Sequence, residues 1–271
     1  MVLPPVVLTI AGFDPSSGAG VSADIKTIAA HDCYGVACIT ALTVQSTLGV
    51  RRVQPVQPDL LAETLVELAR DVTFAAVHIG MLGSEETVSL VADFVSQKGL
   101  PNVVLDPVLK ATSGADLLDE SGLTVLIKSL IPLSRVITPN LDEASIISGL
   151  AVVRREDMAL AAARLHELGA RAVVITGGHL ERPCDLLSCK GESEVEQQFF
   201  ESERIGSTST HGTGCAFSTA IACHLAHGRS IADAVYRAQK FVSAAIAKAY
   251  PVGKGVGPLN HLYAMPPEKN L

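Results

Sequence analysis

Short apolar segments rich in β-branched residues alternate with amphipathic segments along most of this 271-residue chain. The apolar segments have the length and composition of buried strands, and they cover residues 6–10, 36–40, 75–79, 103–106, 136–138 and 172–176. The intervening segments carry apolar residues at helical spacing, and they cover about 21–31, 58–70, 84–98, 121–130, 141–148 and 155–168. This alternation predicts an α/β fold with a mostly parallel central sheet and helices on both faces.

The alternation changes near residue 180. Segments 185–189 and 195–200, joined by the turn-forming residues 190–193, are typical of a small antiparallel hairpin at a sheet edge. Two helices, about 214–227 and 231–250, close the chain. The sequence has neither an internal repeat nor a low-complexity linker. We therefore expect residues 1–271 to form a single domain.

Composition limits the classes of partner. The net charge is −7 and basic residues are not clustered, which argues against nucleic acid or an anionic membrane as a partner. The chain lacks an apolar run of about 18 residues, and its first residues, Met-Val-Leu-Pro-Pro, lack the pattern of a signal peptide. We expect a cytoplasmic protein.

Six cysteines occur, at positions 33, 38, 184, 189, 215 and 223. The Cys-x4-Cys spacing of the pairs 33/38 and 184/189 raises the alternative of a zinc site. That spacing along a strand places the two side chains on opposite faces, so core packing is the preferred interpretation for these four. A disulfide is not expected in a cytosolic chain.

Residues 205–228 run from a small, polar loop into an apolar helix, with Gly212-Thr213-Gly214-Cys215 at the junction. The first amides of a helix have no intrahelical partner, and the helix dipole makes this end positive. Such a junction binds anions, phosphates above all. Cys215 at this place is predicted to have a lowered thiol pKa and to accept a proton. A glycine-rich turn before a buried helix explains the local pattern equally well.

Polar residues collect where the predicted strands end. Ligands bind outside the carboxyl ends of parallel strands, and glycines, acids and amides there favour a small polar ligand with a phosphate chain. Asp106, Asn140 and Glu143 offer the oxygen ligands that Mg²⁺ prefers; each alone is more typical of a helix cap or a loop acid, but the three together favour a metal site. The P-loop and dinucleotide-binding motifs are absent from the sequence.

The histidines divide by position. His78, inside a strand, is predicted to be a hydrogen-bonded core residue, and those on helices or at helix ends (31, 166, 224, 227) are predicted to serve surface or packing roles. His179 and His211 lie beside glycine turns, where a ligand contact and a structural role are equally favoured.

With these residues in view, the sequence resembles the ribokinase superfamily and, within it, the hydroxymethylpyrimidine/phosphomethylpyrimidine kinases of thiamine biosynthesis. The resemblance runs from end to end. It is carried by residues 9–20, 41–45, 79–82, 106–108, 137–143 (ending Thr-Pro-Asn-Leu-Asp-Glu), 177–180, 210–215 (Thr-His-Gly-Thr-Gly-Cys) and 252–258.

The resemblance implies a role for each matching residue. Substrate would be bound by Gly18, Ala19, Gly20, Asp24, Gln45, Met81 and Val108, with Gln45 pairing with the pyrimidine and the last two as apolar walls. ATP phosphates and Mg²⁺ would be held by Asp106, Asn140, Glu143, Thr176 and His211, with Asp106 and Glu143 as the metal ligands. Gly212, Thr213 and Gly214 would form the anion hole, and Cys215 would be the base, where most of the superfamily has aspartate.

Two positions depart from the family pattern. Relatives commonly have lysine where this chain has Thr176, and they tend to be apolar where it has Lys110. Either Lys110 supplies the missing positive charge, or the enzyme works with one cation fewer.

We therefore expect an ATP- and Mg²⁺-dependent kinase that phosphorylates 4-amino-5-hydroxymethyl-2-methylpyrimidine and its monophosphate, acting as a homodimer. The first alternative is a pyridoxal kinase on the same fold, and the second is a non-catalytic pyrimidine-binding protein. Asp106, Glu143 and Cys215 argue against the second alternative, because binding alone needs no base.

Overall fold

In a computed structural model, which describes residues 3–111, 114, 116–191 and 194–265, the chain forms one nine-stranded sheet between helices. The strands are β1 (Val6–Phe13), β2 (Tyr34–Ser46), β3 (Gly49–Pro55), β4 (Ala76–Ile79), β5 (Val103–Leu105), β6 (Val136–Ile137), β7 (Ala172–Gly177), β8 (Cys184–Lys190) and β9 (Val195–Glu201). Their order across the sheet is β3-β2-β1-β4-β5-β6-β7-β8-β9. The strands from β2 to β7 are parallel, whereas β3 on one side and β8 and β9 on the other are antiparallel.

The helices are α1 (Gly20–Ala30), α2 (Pro58–Asp71), α3 (Glu85–Lys98), α4 (Glu120–Val125), α5 (Ile131–Leu133), α6 (Leu141–Ser148), α7 (Arg155–Glu167), α8 (Thr213–Ala226) and α9 (Ile231–Ala247). A π-helical turn, Leu126–Leu130, joins α4 to α5. In the part of the chain that the structure describes, no helix combines the length and apolarity that crossing a membrane requires.

Alternate residues of each inner strand face opposite layers, as the two-residue period of a strand requires. Leu8 and Ile10 of β1 pack in the layer that contains α2, α3, α6 and α7, whereas Val7 packs in the layer that contains α1, α8 and α9. In the same way, Leu105 of β5 faces the first layer and Val104 the second. The sheet is therefore buried on both faces, which explains why its strands are continuous apolar segments rather than alternating ones.

The predicted fold class is confirmed, and most element bounds differ from the predicted ones by one to three residues. The predicted edge hairpin is β8–β9, although residues 192 and 193 of its turn lie outside the described residues. The sequence analysis did not predict β3, because Arg51 and Arg52 interrupt the apolar pattern on an exposed ribbon. It placed a strand at 36–40 that continues into residues 41–49, whereas β2 ends at Ser46.

The cysteines expected to pack in the core largely do so. Cys33, Cys38 and Cys184 are buried, and Cys189 is partly exposed.

Candidate functional site

The carboxyl ends of the parallel strands meet along one edge of the sheet, and the polar residues predicted from the sequence lie in the loops there. Residues 14–19 connect β1 to α1, Asp106 follows β5, and residues 138–140 lead from β6 into α6. The first turn of α8 lies against this edge, since a Cβ added to Gly214 would come within 3.9 Å of Asp106 Oδ2. Strand order thus brings together residues that are far apart in sequence.

Helix α8 begins at a glycine instead of a capping side chain. Gly212 is its N-cap, with φ at +83°, and a Cβ there would lie 1.8 Å from the Gly18 carbonyl oxygen. No L-residue with a side chain fits this turn without strain. In contrast, helices α3, α4, α6 and α9 are capped by the side chains of Ser84, Asp119, Asn140 and Ser230. The Thr213 amide donates to the Thr210 carbonyl oxygen at 3.4 Å, whereas the amides of Gly214 and Cys215 have no acceptor among the described residues and suit an external anion.

Two carboxylates lie close together beside this turn. Asp106 is 5% exposed and Glu143 is 7% exposed. Burial, followed by repulsion from Asp106, raises the pKa of Glu143 from its usual 4.5 to about 8. Burial also raises the pKa of Asp106 to about 6, opposed by attraction to His78 and reinforced by repulsion from Asp24. A pair of buried acids with raised pKa values favours the binding of a proton or a cation.

Asn140 and Glu143 form a capping box at the start of α6. Asn140 Oδ1 accepts from the Glu143 amide at 2.9 Å, and Glu143 Oε2 accepts from the Asn140 amide at 2.9 Å. The side-chain oxygen of Asn140 thus accepts the capping hydrogen bond, and the side-chain nitrogen of Asn140 takes no part in the capping box. Thr176 at the end of β7 forms a parallel bridge with Asn140, so these two predicted nucleotide-binding residues are neighbours.

These residues fit a magnesium site completed by a ligand. Among residues 3–111, 114, 116–191 and 194–265, no group of three or more His, Cys, Asp or Glu side chains forms a metal site by itself. Mg²⁺ characteristically binds through one or two carboxylates together with water and substrate phosphates. Asp106 and Glu143, beside amides suited to phosphate, supply that donor set.

The predicted lowering of the Cys215 pKa is wrong. Burial raises the pKa of the Cys215 thiol well above its usual range, and the Asp106 and Asp24 carboxylates raise it further. A hydrogen bond with the Gly20 backbone opposes this shift but does not offset it. Burial next to carboxylates thus outweighs the helix N-terminus, and the thiol is protonated.

A second polar cluster surrounds Gln45 on β2. Its amide nitrogen lies 3.2 Å from His211 Nε2, and its amide oxygen accepts from Thr43 Oγ1 at 3.1 Å. His211 Nε2 in turn lies 2.8 Å from Asp14 Oδ2. His211 was expected among the nucleotide-binding residues, but its ring contacts Gln45 and Asp14, which belong to the side of the site expected to hold the substrate.

Asp14 was not predicted from the sequence, although Asp-Pro-Ser-Ser at 14–17 has the composition of a side-chain-stabilised turn. Its carboxylate accepts from the Ser16 hydroxyl and from the amides of Ser16, Gly18 and Ala19. Although burial raises the pKa of Asp14, the hydrogen bonds from His211 and Ser16 outweigh burial and lower it to about 2. Asp14 therefore remains ionised and shapes the loop that contains Gly18, Ala19 and Gly20.

Two apolar residues, Met81 and Val108, were predicted to contact the substrate. Met81 is 9% exposed, and a Cβ added to Gly12 would lie 3.0 Å from its sulfur. Val108 is partly exposed in the loop after β5. Both therefore occupy positions compatible with the predicted apolar contact to a ring.

Asp24 does not lie where the sequence analysis expected it. It is 0% exposed, and its two oxygens accept from Thr9 Oγ1 at 2.6 Å and Thr219 Oγ1 at 2.9 Å. His78 Nδ1 lies 3.3 Å from Asp24 Oδ2. Because all these partners come from the protein core, Asp24 lies behind the site and does not line it. The prediction that His78 is a hydrogen-bonded core residue is confirmed.

Lys110 and His179 lie on the surface. Lys110 Nζ is 3.5 Å from Asp116 Oδ1, with both side chains more than half exposed, and residues 112, 113 and 115 between them lie outside the described residues. His179 is exposed, and its carbonyl oxygen accepts from Arg204. The idea that Lys110 compensates for Thr176 stays a prediction.

Comparisons with known proteins agree with this geometry. A family model described as phosphomethylpyrimidine kinase matches residues 14–260. A thiamine biosynthesis bifunctional protein of Geobacter sulfurreducens is 42% identical over 258 residues, covering 95% of this chain but only 52% of that protein. The hydroxymethylpyrimidine/phosphomethylpyrimidine kinase of Haemophilus influenzae is 39% identical over 265 residues, covering 94% of this chain and 96% of that protein.

Solved structures show the same fold. An ADP complex of Bacillus subtilis pyridoxal kinase is similar with a TM-score of 0.86 and 35% identity, covering 95% of this chain and 97% of that one. A phosphomethylpyrimidine kinase from Clostridium difficile 630 is similar with a TM-score of 0.77 and 34% identity, covering 89% of this chain and 99% of that one.

The raised pKa of Glu143 predicts a pH-dependent effect of the Glu143→Gln substitution on stability. A carboxyl whose folded-state pKa is raised stabilises the fold most below pH 4.5 and loses that contribution as the pH rises through about 8. Glutamine keeps an oxygen for the Asn140 amide but cannot ionise. Between pH 5.5 and 8, the free energy of unfolding of the variant should therefore rise relative to wild type by about 1–3 kcal/mol.

Urea unfolding in the presence of a chelator at both pH values measures this difference. Glu86→Gln, an exposed acid in the first turn of α3, serves as the matched control and should show a much smaller change. An equal difference at the two pH values for Glu143→Gln would contradict the assignment of Glu143 as a carboxyl with a raised pKa.

Proposed function

We propose that this chain, which belongs to the phosphomethylpyrimidine kinase family, transfers the γ-phosphoryl group of ATP to 4-amino-5-hydroxymethyl-2-methylpyrimidine and then to its monophosphate, as steps of thiamine biosynthesis. The observation that carries the proposal is the uncapped N-terminus of α8 beside the buried carboxylates Asp106 and Glu143. Free amides favour a negatively charged group, and the acids favour the cation that accompanies it.

The phosphate chain of ATP is proposed to lie between the ends of β5, β6 and β7 and the first turn of α8. Asp106 and Glu143 would hold Mg²⁺, which supplies charge neutralisation of the phosphate oxygens when it is bound. The Asn140 amide and Thr176 lie on the same side and suit contacts to the remaining phosphates. The ADP complex of the Bacillus subtilis relative supports a nucleotide in this fold.

The amides of Gly214 and Cys215 would stabilise the charge on the transferred group, whereas that of Thr213 donates to the Thr210 carbonyl oxygen. The hydroxymethyl oxygen forms a bond to the γ-phosphorus while the bond to ADP breaks, and negative charge spreads over the equatorial oxygens. Amides that are fixed before the reaction stabilise this charge without reorganisation. Because Gly212 contributes no capping side chain, no side chain among the described residues competes for these amides at the cap.

Cys215 is proposed to contact the hydroxyl that loses its proton. The raised pKa of its thiol means that it carries a proton before ligands bind, so it first acts as a hydrogen-bonding partner of the substrate hydroxyl. Phosphoryl transfer is largely dissociative in most analyses and needs little help from a base early in the reaction. Cys215 would lose its own proton to solvent when a cation neutralises the carboxylates that raise its pKa, and the thiolate would then accept the hydroxyl proton as the new bond to phosphorus forms.

Gln45 is proposed to hydrogen bond with the ring nitrogen and the amine of the pyrimidine. An aminopyrimidine presents a ring-nitrogen acceptor beside an amine donor, and a carboxamide offers the complementary donor and acceptor on one planar group. Thr43 and His211 already contact the two ends of the Gln45 amide, which fixes its plane. Met81 and Val108 would contact the faces of the ring.

Pyridoxal is the competing acceptor. The structure is similar to that of Bacillus subtilis pyridoxal kinase over 95% of the chain, which supports this second candidate function. A phenolic oxygen replaces the pyrimidine amine in pyridoxal, so Gln45 would satisfy it less fully. A non-catalytic pyrimidine-binding protein is disfavoured, because it would not need Asp106 and Cys215 beside free amides.

We further propose that the protein acts in the cytoplasm, where ATP is available, and as a homodimer. Alternate residues of the β2–β3 ribbon support the dimer. Thr43 and Gln45 face the site, whereas Leu42, Val44 and Leu48 are 49%, 51% and 73% exposed on the opposite face. Such a row of apolar side chains suits a second copy of this ribbon, which would also steady the strand that carries Gln45.

Substitution of Cys215 tests the catalytic assignment. Cys215→Ala should lower kcat by about 10²–10⁴-fold with little change in KM, the usual effect of removing a proton acceptor. Cys215→Asp should recover part of the activity, because a carboxylate accepts a proton at the same place. Steady-state ADP release measures both variants, and an alanine variant that keeps most of its turnover would place the proton acceptor elsewhere.

Acceptor preference tests the substrate assignment. A buried polar group left unpaired costs about 1–3 kcal/mol, so wild type should favour hydroxymethylpyrimidine over pyridoxal by roughly 5- to 150-fold in kcat/KM. Gln45→Leu should reduce this ratio mainly by weakening the pyrimidine. Coupled ADP release with the two acceptors and with the pyrimidine monophosphate measures it. Equal or better use of pyridoxal by wild type would establish the competing function.

The exposed apolar face predicts the effect of a charge on assembly. Val44→Glu should convert a dimer to a monomer, because a charge would be buried without a partner. Sedimentation velocity measures the change, with Leu160→Glu, a similarly exposed position on α7, as the control. A wild-type protein that sediments as a monomer would contradict the proposal.

A further inference from the structure

A line of buried polar side chains crosses the core behind the phosphate site. Asp24 of α1, His78 of β4 and Ser218 of α8 are each 0% exposed, and Asp106 after β5 is 5% exposed. The four residues come from four different elements, so only the tertiary structure brings them together. Well-packed apolar residues in place of such a buried polar group are often neutral or stabilising. The stability of the fold therefore does not by itself explain why these four polar side chains are buried together.

Its contacts lead directly to the phosphate site. His78 Nδ1 lies 3.3 Å from Asp24 Oδ2, and His78 Nε2 lies 3.0 Å from Ser218 Oγ. Ser218 Oγ is within 3.4 Å of Asp106 Oδ2. The same hydroxyl is 3.0 Å from the Gly214 carbonyl oxygen and 3.1 Å from that of Cys215. Ser218 thus touches both the first turn of α8 and the carboxylate beside it.

The charges around His78 determine how its ring is held. The groups that face it are Asp24 from α1, Asp106 from the end of β5, and the hydroxyls of Thr9 from β1 and Ser218 from α8. Burial lowers the pKa of His78, but the attraction and hydrogen bond of Asp24, together with the attraction of Asp106, outweigh burial and raise it. A ring with both nitrogens protonated donates to the Thr9 hydroxyl, which itself donates to Asp24, on one side and to Ser218 on the other, and it forms an ion pair with Asp24. Ser218 then directs its own hydrogen towards Asp106 or the helix carbonyls.

We propose that His78 is a positioning residue for phosphoryl transfer. By bridging Asp24 and Ser218, it fixes the Ser218 hydroxyl, and through it the Asp106 carboxylate and the first turn of α8. This inference rests on the proposed function, because it assigns to His78 the support of that same site. A displacement of about 1 Å at reacting groups costs on the order of 10²-fold in rate. Loss of the bridge should accordingly lower kcat and leave substrate affinity nearly unchanged.

The experiment compares two buried histidines. His166 of α7 is 4% exposed, and its ring nitrogens lie 2.8 Å from the Ala170 carbonyl oxygen and 2.9 Å from Ser188 Oγ. His78→Leu should lower kcat by about 10²-fold with each KM within about 3-fold, whereas His166→Leu should keep kcat within about 3-fold at a comparable loss of Tm. His78→Gln, which retains a donor and an acceptor, should recover much of kcat.

Ser218→Ala keeps the test decisive if His78→Leu does not fold. It should lower kcat as His78→Leu does, and His78→Gln/Ser218→Ala should lose no more than Ser218→Ala alone, because both residues act through one contact. Folded His78 variants with wild-type kcat, or losses that add fully in the double variant, would overturn the proposal. Wild type that transfers no phosphoryl group to the pyrimidine would overturn the proposed function instead.

Discussion

Two buried carboxylates beside an uncapped helix are the constraint on which the rest of the site depends. Burial raises the pKa of both Asp106 and Glu143, and repulsion from Asp106 raises that of Glu143 further. In the first turn of α8, the amides of Gly214 and Cys215 have no hydrogen-bond acceptor among the described residues. Each half therefore calls for a partner that the described residues do not provide, and a phosphate chain with its cation satisfies both. Gly212 packs closely against Gly18 and Ala19, which holds the start of α8 against the loop that follows β1.

The other half of the site is complete before a ligand arrives. Asp14 is ionised and accepts four hydrogen bonds from its own loop in addition to the contact with His211. His211, held by Asp14, in turn contacts the Gln45 side chain on β2. Under the proposed function, fixed hydrogen-bonding groups would recognise the acceptor, whereas the groups beside α8 would bind the phosphates and their cation.

Much of this arrangement is predictable from the sequence, because it follows from strand ends and glycine turns. The alternation of apolar and amphipathic segments predicts the sheet, and it places Asp106, Asn140 and Glu143 at one edge. The sequence does not show how deeply each polar side chain is buried, and burial determines both its pKa and its access to a ligand. The position of Cys215 at a helix start predicts a lowered pKa, yet neighbouring carboxylates and desolvation raise it. Asp24 likewise resembles a ligand-binding acid in sequence, but Thr9, Thr219 and His78 enclose it.

The most direct test of the account is the binding of Mn²⁺ with ADP, followed by electron paramagnetic resonance. In wild type, the account predicts protein-bound Mn²⁺ with hyperfine coupling to ³¹P, since carboxylates and phosphates would share the ion. Asp106→Asn should weaken this binding at least about 10-fold, the smallest loss usual even for residues one step further from a metal. Asp116→Asn, an exposed acid in the loop after Lys110, should leave it unchanged. Equal affinity in wild type and Asp106→Asn would contradict the central claim that the buried acids hold the cation.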